Sequence, residues 1–287
     1  MMNNECISSV DELKRSIVQA VGDVRESKPL VGSLTNAVTM DFVANAQLAI
    51  GASAAMVYLA DEAECLVAAG SSFYVNMGTL LPVHAESIVA AGRASHEAGK
   101  PWVLDPVGIG IGALRASILV DLKDFKPTIV RANASEVIAL ADLWGLESSA
   151  DALSRPRGVD STDDVSAACA AAVAIARWTG GAVAVSGPED LVTDGSTIVT
   201  LSGGSPFMEK VTGFGCSLGG VAASYAAVST PLIAALAASA HYDVAGVRAE
   251  QSATAPGSFK VAFIDELYRL SADEIAACPL SLERTIR

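Results

Sequence analysis

Several times along the chain a short run of apolar, mostly β-branched or aromatic residues stops at a polar or glycine residue and gives way to a stretch with helical spacing. Such runs are Pro29–Asn36, Ser72–Asn76, Trp102–Gly108 and Thr128–Arg131. Helical patterns lie between them at Thr39–Ile50, from Asp61 onward, at Pro82–Ala98 and at Leu114–Leu122, and an earlier one spans Val10–Val24. Strands that alternate with helices in this way pair in parallel, with the helices covering both faces. Composition agrees: 51% of residues are hydrophobic but only 5% are aromatic, so the apolar content is mostly Ala, Val, Leu and Ile, which suits closely packed helices over buried strands. The expected fold class is therefore α/β with a mostly parallel central sheet. At 287 residues, one large domain over residues 1–287 is the expectation. Leu191–Thr193 and Thr197–Leu201 flank Asp194-Gly195, a hairpin signal that adds antiparallel strands late in the sheet.

The stretch Lys210-Val211-Thr212-Gly213-Phe214-Gly215-Cys216-Ser217-Leu218-Gly219-Gly220 is the strongest candidate for chemistry. A β-like run, Pro206–Val211, enters it and a run of small residues with helical character leaves it. Gly213 and Gly215 leave backbone N–H groups free to face a ligand, and the first turn of the helix adds partial positive charge, so the loop is a phosphate cradle. Cys216 falls in that turn, where the dipole lowers a thiol pKa and a base or nucleophile could sit. The alternative is a plain strand-to-helix turn with a small packed cysteine. Neither G-x-x-x-x-G-K-[ST] nor G-x-G-x-x-G occurs here.

Asp105 is delivered at the carboxyl end of the Trp102–Asp105 run, the end outside which ligands bind in open α/β sheets. It could equally cap the helix that follows. Arg131 ends another run and leads into Asn133 and Glu136, whose spacing is that of a capping box. In the functional version Glu136 holds a metal-bound water and Arg131 touches a phosphate. Leu146–Asp164, polar and containing Arg155-Pro156-Arg157-Gly158, reads as a mobile surface loop.

A formal net charge of −13 argues against a nucleic-acid partner, which needs clustered Lys and Arg. Five single cysteines and three histidines show no metal-binding or disulfide spacing, and a reducing, cytoplasmic setting fits them. No signal peptide is expected at Met1–Val10. The apolar stretch Leu218–Ala240 is broken by glycine, serine and Pro231 and reads as a pair of buried helices rather than a membrane span.

Taken together, Leu34-Thr35-Asn36, Gly51-Ala52-Ser53 with Met56, Asn76-Met77-Gly78-Thr79, Leu104–Gly108, Arg131–Glu136, Lys210–Gly213 with Gly215-Cys216, and Pro256-Gly257-Ser258-Phe259 resemble, in this order, the hydroxyethylthiazole kinase family of thiamine salvage. The likeness runs from about Pro29 to Leu270. It implies a three-layer ribokinase-like fold and transfer of the ATP γ-phosphoryl group to the hydroxyl of 4-methyl-5-(2-hydroxyethyl)thiazole, with Mg²⁺. On matching positions it places Asn36, Met56 and Gly213 on the thiazole, Arg131, Ser186 and Thr212 on ATP, and Asp105 and Glu136 on the metal. Cys216 takes the place of the base, beside Gly213 and Gly215 of the catalytic loop. It also implies a homotrimer. Relatives acting on hydroxymethylpyrimidine or pyridoxal, and a catalytically silent nucleotide-binding protein, are the alternatives. Two departures bear on the acceptor pocket: Gly32 stands where the family usually has histidine, and Phe214 where it prefers a smaller residue.

Overall fold

The computed structural model describes residues 9–146 and 165–284. The Leu146–Asp164 loop expected from the sequence therefore lies almost wholly outside the described residues. Among the described residues nine strands form one sheet: β1 Leu30–Leu34, β2 Ser53–Met56, β3 Ser72–Asn76, β4 Trp102–Asp105, β5 Ile129–Asn133, β6 Ala182–Ser186, β7 Asp190–Thr193, β8 Thr197–Leu201 and β9 Leu280–Arg284. Their spatial order is β2-β1-β3-β4-β5-β6-β7-β8-β9. The first six strands in that order run parallel, and β7, β8 and β9 add antiparallel pairs. After β1 the chain steps outward to β2, then crosses back over β1 to β3 and proceeds the other way. The reversal opens a crevice at the carboxyl ends of β1 and β3, the place where doubly wound sheets bind ligands.

The strands alternate their side chains between two cores. On one face Val31, Tyr74, Val103, Ile129 and Ala184 pack beneath α1 (Val10–Ser27), α2 (Met40–Ala49), α8 (Phe214–Ala226), α9 (Pro231–Ser252), α10 (Pro256–Arg269) and α11 (Ala272–Ala276). On the other, Leu34, Phe73, Val75, Leu104, Val130 and Val183 pack beneath α3 (Ala60–Ala69), α4 (His84–Glu97), α5 (Ala113–Leu122), α6 (Ala134–Leu143) and α7 (Val165–Thr179). Period-2 alternation with both faces apolar is what a sheet covered on both sides requires. The three-layer α/β arrangement follows from it.

Helix α1 buries Leu13, Ile17, Ala20, Val21 and Val24 against the first of these cores. Its spacing of apolar residues, Ser9 as N-cap with its Oγ accepting from Glu12 N, and Lys28 in the left-handed region at the C-cap explain where it starts and stops. The Arg25 guanidinium then reaches the Leu270 carbonyl, a partner 245 residues away in sequence.

The hairpin at Asp194-Gly195 is present, with Asp194 Oδ1 accepting from the Ser196 and Thr197 N–H groups. So is the pair of buried helices, α8 and α9, split by Pro231 at the first position of α9. Among the described residues no helix is long and apolar enough to cross a membrane.

The β-like run expected at Pro206–Val211 is instead a 3₁₀ turn, Pro206–Lys210. Pro206 brings no N–H, and Ser205 Oγ accepts from Phe207 N at 3.2 Å, which starts a turn. A strand there pairing with the preceding β8 would also need the outer edge of β8, which β9 takes along its whole length.

Candidate functional site

Five strands deliver a polar residue at or just beyond their carboxyl ends, on the same rim of the sheet: Asn36 after β1, Asn76 ending β3, Asp105 ending β4, Asn133 ending β5 and Ser186 ending β6. Helix α8 crosses this rim, making contact with β1, β3, β4 and β5. Its N-cap is Gly213, with φ at 101°, a left-handed conformation that glycine adopts without strain. A Cβ there would meet Thr39 Cγ2 at 3.0 Å and Phe42 Cδ1 at 3.2 Å. The first helical bond runs from Ser217 N to Gly213 O, so the N–H groups of Phe214, Gly215 and Cys216 precede the helical ladder and remain donors.

Arg131 lies under this turn. Its guanidinium is an ion-pair partner of Asp105 Oδ2 at 3.6 Å and donates to Ser186 Oγ. It also lies so close to Gly215 that a Cβ on that residue would fall 2.5 Å from Nη1 and 2.9 Å from Cζ. Arg131 is 8% exposed, and its Nε has no hydrogen-bond partner among the described residues. Burial opposes its charge, but the carboxyls of Asp105 and Glu136 outweigh burial and hold its pKa above the ordinary value.

Asp105 is completely buried, which raises its pKa; Arg131 pulls the other way, and the nearby Glu136 adds to the rise. Its Oδ2 is crowded by donors, Tyr74 OH at 3.0 Å and Asn76 Nδ2 at 3.1 Å, while Oδ1 is buried without a partner among the described residues. The capping alternative for Asp105 fails, because the N-cap of α5 is Gly112 and no side chain caps it. Glu136 does complete the capping box with Asn133: its Oε2 accepts from Asn133 N at 3.0 Å, and Glu136 N donates to Asn133 Oδ1 at 2.9 Å. Its other oxygen accepts from Gly108 N at 3.2 Å, which ties the loop after β4 to α6. The capping-box reading of Glu136 is thus present in the structure.

Asn36 and Asn76 join across the β1/β3 crevice. Asn36 Nδ2 donates to Asn76 Oδ1 at 2.9 Å and lies 3.6 Å from Cys216 Sγ, while Asn36 Oδ1 accepts from Thr39 N. Gly78 N donates to the same Asn76 Oδ1, and a Cβ on Gly78 would fall 2.8 Å from Asn36 Nδ2. Cys216 departs from its expected electrostatics. It occupies the third position of α8, yet burial first and the Asp105 charge second raise its pKa above the usual thiol value, and Arg131 offsets only part of this. The helix dipole does not prevail, and the resting group is a neutral thiol.

Asn36, Asp105, Arg131, Glu136, Ser186, Gly213, Gly215 and Cys216 are thus drawn together at the α8 turn. Thr212 lies exposed just before the turn, and Met56 ends β2, the edge strand beyond β1, half-buried against the α8-side core. Reasoning from the sequence passed over Tyr74 and Asn76 as site residues. The signal for Asn76 was its place at the end of a fully buried strand before Gly78.

The two departures fall away from the crevice. A Cβ on Gly32 would strike the Phe73 ring at 2.6 Å and Leu66 Cβ at 3.1 Å, so Phe73 fills that position on the α3 face, inside the sheet rather than at its rim. Phe214 turns into an aromatic cluster, with ring centroids 4.9 Å from Phe42, 4.6 Å from Phe263 and 5.5 Å from Phe259. It anchors the turn from beneath.

The hydroxyethylthiazole kinase family model matches residues 21–273. A Bifidobacterium adolescentis protein named hydroxyethylthiazole kinase is 51% identical over 274 residues, which cover 92% of this chain and 93% of that protein. The solved structure of a hydroxyethylthiazole kinase protein from Pyrococcus horikoshii superposes with a TM-score of 0.84 at 31% identity, covering 94% of this chain and 99% of that one. The pyridoxal kinase of Staphylococcus aureus, solved with AMP-PCP and pyridoxal, superposes with a TM-score of 0.59 at 14% identity over 89% of this chain and 98% of that one, a likeness of fold alone.

Proposed function

Because the chain belongs to the hydroxyethylthiazole kinase family, we propose that it transfers the γ-phosphoryl group of ATP to the hydroxyl of 4-methyl-5-(2-hydroxyethyl)thiazole, a step of thiamine salvage. The observation that carries the reading at residue level is the convergence of Arg131, Asp105, Asn36 and Cys216 on the open first turn of α8, beside the β1/β3 crevice. A transferring phosphoryl group spreads negative charge over its oxygens, and catalysis is mainly positioning and electrostatic stabilisation. The N–H groups of Phe214, Gly215 and Cys216 and the Arg131 guanidinium supply that stabilisation in a buried setting. Arg131 Nε, without a hydrogen-bond partner among the described residues, is a further donor. Ser186 and Thr212 lie along the nucleotide side, and Asn36, Met56 and the Gly213 backbone along the acceptor side. The new P–O bond forms as the β–γ bridging bond breaks, ADP leaving with the bridging oxygen, and Cys216, once its own proton has passed to solvent, takes the proton of the acceptor hydroxyl as a thiolate.

The residues fit Mg²⁺ in the role of a guest on the phosphates. Among the described residues Asp105 Oδ1 is buried without a hydrogen-bond partner, Glu136 has lone pairs beyond its two backbone bonds, and no cluster of three or more His, Cys, Asp or Glu forms a cage. Mg²⁺ characteristically takes one or two carboxylates and keeps water and substrate phosphate for the rest of its shell. When bound, it would neutralise charge on the nucleotide oxygens.

We further propose a homotrimer. Val38, Leu59, Leu81, Val83, Ile111 and Leu114 are exposed on the segments that follow β1 to β4, an apolar margin beside the crevice that suits contact with a second copy.

The test is ADP release from purified protein over a panel of thiazole, pyrimidine and pyridoxal alcohols, with Mg²⁺ and after EDTA. Turnover is expected for the thiazole alcohol with Mg²⁺ only. Preference for another acceptor overturns the substrate, and full rate in EDTA overturns the Asp105 and Glu136 assignments.

A further inference from the structure

Tyr74 stands between two parts of the proposed site without belonging to any motif that suggested it. It lies in the middle of β3 and is completely buried. Its ring fills a notch in α8 made by Gly219, where a Cβ would fall 2.6 Å from Cε2 and 2.8 Å from both Cζ and the hydroxyl oxygen. A tyrosine here and a glycine there are therefore one device, since any side chain at 219 would push the ring out of place.

At the tip of the ring, the hydroxyl is 3.0 Å from Asp105 Oδ2 and 2.7 Å from the Cys216 carbonyl oxygen, and it accepts from Asn76 Nδ2 at 3.0 Å. Asn76 Nδ2 reaches Asp105 Oδ2 as well, at 3.1 Å. One hydroxyl proton faces two acceptors on two different elements, the end of β4 and the first turn of α8. A valine or leucine would fill part of the same space; neither could hold both acceptors.

We infer that Tyr74 is a positioning residue for phosphoryl transfer, its hydroxyl bracing the Asp105 carboxylate against the backbone of Cys216 so that the carboxylate, the thiol and the α8 N–H groups keep one mutual geometry. The inference rests on the proposed kinase reading of the site. It explains why a fully buried strand carries a phenol at this position, and why α8 carries a glycine opposite it in a helix where alanine would be favoured.

Tyr74→Phe tests it, because the ring stays in the Gly219 notch and only the hydroxyl is lost. The expected result is a drop in kcat of roughly ten- to a hundred-fold, the range that a lost hydrogen bond to a charged group corresponds to, with the KM for ATP and acceptor within about two-fold and the melting temperature within a few degrees. In a Cys216→Ala background the same change should cost markedly less, because groups that act as a unit are not additive. A kcat within two-fold of the parent, a loss confined to KM, or full additivity with Cys216→Ala would each overturn the inference. If Tyr74→Phe does not fold, Tyr74→Leu with Gly219→Ala refills the notch without a hydroxyl and should be folded and similarly slow; full activity there also overturns it. Activity of the unaltered protein on the alcohol panel is measured first, so failure of the kinase reading is distinguishable from failure of the Tyr74 assignment, which is read only from the ratio of variant to parent on the best acceptor.

Discussion

Replacing Gly215 by alanine isolates the close approach between α8 and Arg131. Gly215 is the second residue of the helix and has an ordinary negative φ, so the backbone accepts alanine, and on propensity alone the change would stabilise by up to about 1 kcal/mol. The added Cβ, however, would lie 2.5 Å from Arg131 Nη1 and 2.8 Å from Nη2. Ordinary contact begins near 3.5 Å, so the guanidinium must retreat by about 1 Å. It is not free to do so, being held by Asp105 and Ser186 in a site that is almost closed to water. Breaking a buried ion pair outright costs about 3–5 kcal/mol. Partial retention of the pair, together with the propensity gain, brings the expected net loss of stability to roughly 1–3 kcal/mol. A misplacement of 1 Å costs on the order of 10²-fold in rate. Because the displaced group binds phosphate in the proposed reaction, the KM for ATP should rise along with that fall in kcat. Steady-state ADP release at varied ATP, paired with urea denaturation, measures both quantities. A Gly215→Ala protein that is more stable than its parent and fully active would refute the reasoning, since it would mean that the guanidinium does not need its place under the turn.

Cys216→Ala should lower kcat toward the small end of the 10²–10⁴ range of positioned bases and leave the KM for ATP nearly unchanged; an unaffected enzyme would reduce Cys216 to packing. Away from the site, Asp243 on α9 is buried near Asp190 and Cys278, and burial followed by the Asp190 charge pushes its carboxyl up to about 8. A raised acid keeps its proton in the folded state, so it favours folding at low pH and that contribution is lost as pH rises from about 4 toward 8, at up to about 1.4 kcal/mol per unit. Asp243→Asn should therefore melt several degrees above the parent at pH 8 and alongside it near pH 4, and the opposite order would contradict the assignment. For assembly, light scattering at micromolar concentration should give three times the chain mass, and a fully active monomer would refute a site completed by a neighbouring copy.

The layered fold was legible because it depends on local pattern. Runs such as Ser72–Asn76 and Trp102–Asp105 are apolar on both sides, and Asn133 with Glu136 writes a helix start into four residues. Pro206–Val211 misled because β propensity says nothing about whether a sheet edge is open, and the edge of β8 was taken by β9, a strand about 80 residues later. The site was legible as a set of strand ends and a glycine turn, which are local signals, whereas its electrostatics were not. The turn in which Cys216 sits promised a lowered thiol pKa, but burial and Asp105, two effects of tertiary contact, reverse the sign. Tyr74 stayed hidden for the same reason, since its meaning depends on Gly219, 145 positions onward, and on Asp105.

The tie from Arg25 to the Leu270 carbonyl has a kinetic consequence. Helix α1 lays its apolar stripe on α9 and α11, elements translated more than two hundred residues after it, so on the ribosome Leu13, Ile17, Val21 and Val24 emerge long before anything exists to cover them. A contact that distant closes late, because the loop entropy must be met before the contact gives anything back. Until α9 and α11 are made, the nascent chain thus carries α1 as an amphipathic helix without these partners, a segment suited to transient capture by a chaperone, and its docking is expected among the final events of folding.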